Sequence, residues 1–343
     1  MPRAVPRSAL ASAAPSIGEK VAFLRRADAY PEMPARVETV ETHMSWVFLT
    51  DAFAYKLKKP VRYAFLDFST VAARLRNCRR ELRLNRPLAR EVYCGIAPLT
   101  VEHGSLRLGG RGKAVDWLVK MRRLPAHRML DAAIRAGTVS AEDLDNVSGV
   151  LTAFYRRLAP VAVGPRAYRK RFEAGVRANA AELGRPDWRL SRRQIEHLTR
   201  AQTGFLAAHG DLLELRARGR RIVEAHGDLR PEHICLTREP VIIDCLEFKR
   251  EFRLLDPVDE LAYLAMECDR LGSAAGDDIL RHYLDAAREQ VPDALILFYK
   301  AYRACLRAKI AIWHLADHAV QRDKWRRRAR EYLDLASAYV ARW

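Results

Sequence analysis

Two strand-like runs rich in Val, Thr, Phe, Trp and Tyr fill residues 36–68 and meet at a turn at Thr50-Asp51. From Ser69 the spacing changes. Val71, Leu75, Cys78, Leu82 and Leu84 recur at helical intervals as far as Arg86-Pro87, with Ser69 or Thr70 placed to cap the first turn. Two further strands are expected at 96–102 and 114–121, separated by the glycine-rich turn GSLRLGGRGK, and Pro125 marks a break. The next hundred residues read as helices over 140–158, opened by Ser-Ala-Glu-Asp, then 165–183 and 191–217. Residues 221–245 return to short strands and turns, and everything after Asp256-Pro257 is helical in pattern. No internal repeat interrupts this order.

Composition narrows the class. With 343 residues, 49% of them hydrophobic, the chain is neither disordered nor collagen-like and is long enough for two lobes, each with its own core. Its most apolar stretch, 294–315, is broken by Lys300, Arg303, Arg307 and Lys309, so it reads as a buried helix rather than a membrane span. Residues 1–19 are basic and rich in small side chains without a continuous apolar segment; a flexible extension is expected there, not a secretory signal. Six cysteines lie far apart with no CxxC pair or zinc spacing, which suits reduced core thiols of a cytoplasmic protein. The formal charge is +18, and only 11 of the 60 basic residues are Lys. Because the arginines are spread over the whole chain beside abundant Ala, they read as compositional bias, with an anionic partner such as nucleic acid as the alternative. The densest basic run, 324–330, has helical spacing and reads as a solvated face.

These strands with one helix, a connector, and then a helical region holding a small strand-and-loop insertion make an α+β layout like that of a two-lobed kinase. The chemistry concentrates in HGDLRPEHICL, residues 226–236, and VIIDCLEF, residues 241–248. Arg238-Glu239-Pro240 joins their β-rich parts as a hairpin, which brings together His233 at the start of one arm and Asp244 at the end of the other. Phosphoryl transfer needs a carboxylate that orients and deprotonates the attacking hydroxyl, a role that suits Asp228. It also needs ligands for the metal that bridges the nucleotide phosphates, and His233 and Asp244 suit that role. A second His-Gly-Asp at 209–211 is followed by the helix-forming LLELRARG and reads as part of a helix.

These segments resemble the aminoglycoside phosphotransferase and choline-kinase-like family of the protein-kinase-like superfamily. The family's catalytic loop, H-G-D-x-x-x-x-N, corresponds to residues 226–233, with His233 standing where the pattern has Asn. HGDLRPEH with IDCLEF, and ETHMSWVFLT with YKLKKPV, look more specifically like an uncharacterised bacterial subfamily, in order over about residues 20–310. The resemblance implies a bilobal fold: an N-lobe over 20–122 with a five-stranded antiparallel sheet and a helix, and a mainly helical C-lobe over 123–343. It implies that Asp228, with His226 and Arg230, carries the reaction, and that Asp244 and His233 hold Mg²⁺ or, given the softer imidazole, Mn²⁺. Lys56, in the pattern A-x-K, would bind the nucleotide phosphates and pair with Glu81; Lys58 shares its face. The loop of Thr42, His43 and Ser45 would cover the phosphates without a glycine, and the hinge at 119–123 would meet the base through Val119 and Met121. Asp259 would brace the catalytic loop, with Glu232 and Glu247 secondary candidates near the metal.

The expected activity is transfer of the γ-phosphate of ATP or GTP to a hydroxyl of a small molecule, away from any membrane. The alternative is a kinase-fold nucleotide-binding protein that modifies protein, by autophosphorylation or nucleotidylation, or binds an anionic partner such as RNA.

Overall fold

A computed structural model describes residues 14–63, 66–317 and 322–343, and divides between Leu124 and Pro125 into two units. The first unit opens with helix α1 (Ile17–Leu24), started by a capping box. The Ser16 hydroxyl accepts from the Glu19 amide at 3.2 Å, and the Glu19 carboxylate accepts from the Ser16 amide at 2.7 Å. Helix α1 thus begins within the expected 1–19 extension, whose first 13 residues lie outside the described ones.

Strands β1 (Glu38–Glu41), β2 (Ser45–Leu49) and β3 (Phe53–Lys58) follow, then the two-residue β4 (Arg62–Tyr63) and β5 (Leu66–Asp67). Helix α2 (Val71–Ala89) is capped by Thr70 and runs past Pro87. The unit closes with β6 (Tyr93–Glu102), β7 (Ser105–Leu108) and β8 (Lys113–Arg122). The main sheet is antiparallel in the order β1-β2-β3-β8-β6-β7, so it has six strands where five were expected. The added strand, β7, lies inside the glycine-rich stretch. His103 and Gly104, both at positive φ, form a two-residue hairpin turn that sends Leu106 and Leu108 back against the core.

One sheet face carries Phe48, Tyr55, Leu57, Leu99 and Leu118, which pack with Val21 and Leu24 of α1. Asp116 on β8, 1% exposed, ties both helices to the sheet. It accepts from Lys20 Nζ of α1 at 2.8 Å and from Arg74 Nε and Nη2 of α2 at 2.7 and 2.8 Å.

The second unit is helical: α3 (Leu130–Ala136), α4 (Ala141–Arg157), α5 (Pro165–Leu183), α6 (Arg192–Arg218), α7 (Pro257–Arg270), α8 (Ala275–Ala287), α9 (Asp293–Asp317) and α10 (Arg322–Val340). Ser140, Ser191 and Asp256 cap α4, α6 and α7, at the sequence signals that predicted those starts. Its core runs through α5, α6, α7, α9 and α10, with Leu198, Met266, Ile312 and Tyr332 among its buried side chains. The second His-Gly-Asp lies within α6, where the helix is kinked at His209. Between α6 and α7 the chain forms two two-residue pairings from β9 (Val223–Glu224), β10 (Ile234–Cys235), β11 (Val241–Ile242) and β12 (Leu254–Leu255), with the chemistry-bearing segments held among them. β10 pairs with β11, as the expected hairpin requires, and β12 pairs with β9.

All six cysteines are free; five are buried, whereas Cys94, expected in the core, is exposed. Among the described residues no helix is long and apolar enough to cross a membrane.

Candidate active site

Backbone geometry aims the loop after β9. Gly227 has φ +88°, and a Cβ there would stand 2.9 Å from Arg253 Cγ, so only glycine lets the loop pass. His226 is fully buried. Its Nε2 lies 2.9 Å from the Ile243 carbonyl and must donate to it, while Nδ1 accepts from the Asp228 amide at 3.3 Å. Burial pushes its pKa down to about 4, so the ring is neutral at pH 7. With both nitrogens spent on backbone groups, His226 holds the shape of the loop that presents Asp228.

The Asp228 side chain is 25% exposed. Tyr263 of α7 donates to its Oδ1 at 2.9 Å, and Arg230 Nε lies 3.1 Å from the same oxygen. Burial would raise this carboxyl, but the charges of Arg230 and Arg307 and the Tyr263 hydroxyl outweigh it and hold the pKa at about 2. His233 follows one turn later; its Nδ1 is 2.8 Å from the Asp228 carbonyl, and its Nε2 is 3.7 Å from Asp244 Oδ2. The hairpin makes that second approach: the Ile243 amide donates to the His233 carbonyl at 2.9 Å, across the register that pairs Ile234 with Ile242. Asp244 adopts a left-handed φ of +63°, a conformation Asp tolerates, and its side chain is 40% exposed. Asp228, His233, Asp244 and Arg230 are thus brought together. Among the described residues no group of three His, Cys, Asp or Glu side chains is arranged to hold a metal ion.

The brace on this loop is Glu260, where the sequence pointed to Asp259. Glu260 accepts from the Gly227 and His226 amides at 2.5 and 3.1 Å and from the Tyr155 hydroxyl at 2.8 Å, with no exposure. Asp259 instead forms a buried two-point pair with Arg303 of α9 at 2.7 and 2.5 Å. Adjacent residues on a helix point about 100° apart, so packing chose between two equally acidic neighbours. Tyr263, one turn beyond Asp259, was also missed; a Tyr at helical spacing reads as core until its hydroxyl is seen to meet Asp228.

In the first unit, Lys56 Nζ lies 3.1 Å from Glu81 Oε1, and Lys58 pairs with the other oxygen of Glu81. Both lysines reach the same fully buried carboxylate because β3 alternates its side chains, but Lys56 is 14% exposed and Lys58 only 1%. The loop between β1 and β2 is closed by hydrogen bonds between Thr42 and Ser45. The Thr42 amide donates to the Ser45 carbonyl at 2.8 Å, and the Thr42 hydroxyl accepts from the Ser45 amide at 3.0 Å. Ser45 is buried, and His43 stacks on Tyr63. Val119 and Met121 both lie within β8, paired on one side with β3 and on the other with β6. The unit boundary falls beyond that strand, between Leu124 and Pro125.

No protein-family model matches the chain. An uncharacterised protein of Mycobacterium tuberculosis is 36% identical over 285 residues, which are 80% of this chain and 54% of the relative; a Mycobacterium bovis protein matches to the same extent. The chain spans about half the length of the curated relatives it matches. An aminoglycoside phosphotransferase solved with GDP and kanamycin superposes at a TM-score of 0.58 with 16% identity, covering 93% of this chain and 98% of that one. The chain has a protein-kinase-like fold. A choline/ethanolamine kinase family protein from Mesorhizobium loti shares that fold at a TM-score of 0.55, again with 16% identity, over 93% of this chain and 94% of its own. A Cryptosporidium parvum choline kinase does so at 0.51 with 10% identity, over 94% and 96%.

Proposed function

We propose that the chain is an ATP- or GTP-dependent phosphotransferase that phosphorylates a hydroxyl of a small molecule. The observation that supports this most is the arrangement of an ionised Asp228 beside His233 and Asp244 on the two arms of one hairpin. A hydroxyl brought to the Asp228 carboxylate is oriented by it and gives up its proton to it as its oxygen bonds to the γ-phosphorus and the bond from that phosphorus to the β,γ-bridging oxygen breaks, releasing the nucleoside diphosphate. A carboxyl with a pKa near 2 is a weak base, so its main work is orientation, with the proton taken late; that suits the loose transition state of phosphoryl transfer.

His233 Nε2 and Asp244 Oδ2 fit a divalent ion, Mg²⁺ or Mn²⁺, as one lone-pair nitrogen and one carboxylate oxygen on a half-exposed edge, where phosphate oxygens and water would complete the shell. Such an ion, when bound, neutralises charge on the nucleotide phosphates. In the first unit Lys56, aligned by Glu81, offers an ammonium suited to nucleotide phosphate. His226 and Glu260 act as positioning residues, and Tyr263 fixes which Asp228 oxygen faces the hydroxyl.

The test is phosphate incorporation from labelled ATP or GTP into a metabolite extract. Asp228→Asn should lower turnover by roughly 100-fold or more. Turnover unchanged by Asp228→Asn would overturn the assignment.

A second reading has one observation in its favour. The first unit carries an open cavity of about 700 Å³ lined by Arg83, Arg86, Arg90 and Arg122, a surface that suits an anionic partner of a nucleotide-binding protein. Protein modification instead of small-molecule transfer would appear as a phosphate or nucleotidyl adduct in the mass of the chain after incubation with nucleotide and Mn²⁺. RNA binding would appear as an affinity that falls steeply with salt.

A further inference from the structure

The hydrogen bonds around His233 bear on how this site takes up its cation. The Asp228 carbonyl oxygen has no proton to give, so the His233 Nδ1 that lies 2.8 Å from it carries the proton of the neutral ring. Nε2 is left with a single lone pair, and Arg230 Nη2 donates into it at 3.0 Å. Arg230 is anchored from two further directions: Nη1 donates to Glu232 Oε1 at 2.5 Å, and Nε lies 3.1 Å from Asp228 Oδ1. A guanidinium thus occupies the one lone pair through which His233 could bind a metal.

Resting on the phosphotransferase reading above, we infer that Arg230 and the divalent cation exclude one another at His233, so that the free protein is closed to the metal until the phosphate tail of a nucleotide draws Arg230 away. The residue type at 233 matters here. An Asn side-chain oxygen has two lone pairs and can accept from Arg230 while it ligates a cation, whereas an imidazole nitrogen has one and must choose. Acidity does not resolve the contest in the metal's favour, because the guanidinium stays charged throughout the working pH range. Only a competing anion releases it, and phosphate oxygens match the guanidinium fork well. The order of loading follows: nucleotide and metal enter together or nucleotide enters first, and metal alone does not.

The experiment is a titration of the full chain with Mn²⁺, free ion read by electron paramagnetic resonance, first without nucleotide and then with ADP. Without nucleotide, Arg230→Met and His233→Asn should each bind Mn²⁺ on the order of tenfold more tightly than the wild type. ADP should narrow that gap by tightening the wild type. His233→Asn leaves the charge of the site unchanged and keeps both carboxylate contacts of Arg230. It therefore separates competition for a lone pair from simple repulsion, and it serves if Arg230→Met unfolds. Equal Mn²⁺ affinity in the wild type and Arg230→Met would overturn the inference, as would a gain in Arg230→Met with none in His233→Asn. Calorimetry with ADP keeps the two levels apart. ADP binding with Mn²⁺ affinity indifferent to residues 230 and 233 removes this inference alone, while a wild type that binds no ADP, with or without metal, removes the phosphotransferase reading as well.

Discussion

Replacing Glu260 by Ala probes the brace beneath the loop that presents Asp228. The carboxylate is the acceptor for two buried donors, the His226 amide and the Tyr155 hydroxyl, and for the part-buried Gly227 amide. A buried donor left without a partner costs roughly 1–3 kcal/mol, so the two buried ones alone set a loss of at least about 2 kcal/mol before any movement of the loop is counted. Burial opposes this by raising the pKa of Glu260 above its ordinary 4.5, against the pull of the Gly227, Tyr155 and His226 hydrogen bonds. A raised folded-state pKa means that this group's stabilising contribution is complete below 4.5 and is lost as pH rises through the folded value. The cost of Glu260→Ala, measured by urea denaturation, should therefore be largest near pH 5 and shrink toward pH 8. Glu260→Gln, which keeps one acceptor oxygen, should fall between the wild type and Ala. Because the affected amides belong to His226 and Gly227, turnover should fall in Ala even at temperatures where the protein stays folded. A loss of less than about 1 kcal/mol at pH 5, or a cost that grows with pH, would refute the reasoning.

Two other perturbations test the first unit. Asp116→Ala strands the buried cations Lys20 and Arg74 and should destabilise the protein by roughly 3–5 kcal/mol in chemical denaturation; a loss under about 1 kcal/mol would show that the three-way pair does not hold α1 and α2 to the sheet. Lys56→Met and Lys58→Met should separate function from stability: the more exposed Lys56 should cost nucleotide affinity with little change in melting temperature, and the buried Lys58 the reverse.

Much of the fold was legible because its signals are local. Thr70, Ser140, Ser191 and Asp256 announce helix starts through hydrogen bonds made within three residues. The Arg238-Glu239-Pro240 turn announces the hairpin that carries His233 to Asp244. Strand β7 is hidden in the sequence because glycines on both sides mask a four-residue alternation. Helix α1 fell within a stretch whose composition suggested an extension, yet Ser16 and Glu19 carry a complete capping box.

By itself the sequence determined most of the element order and the chemistry-bearing loop, since each follows from spacing along one strand, one helix or one turn, while Glu81 as the partner of Lys56 came from the resemblance to the kinase-like pattern. Only the tertiary structure decided that Glu260 rather than Asp259 holds the loop, that Lys58 shares Glu81, and that Tyr263 and Arg230 meet Asp228. Periodicity fixes which side of an element a residue occupies, but which polar neighbour it finds across a buried gap depends on packing between segments far apart in the chain, where an angular step of one residue changes the partner.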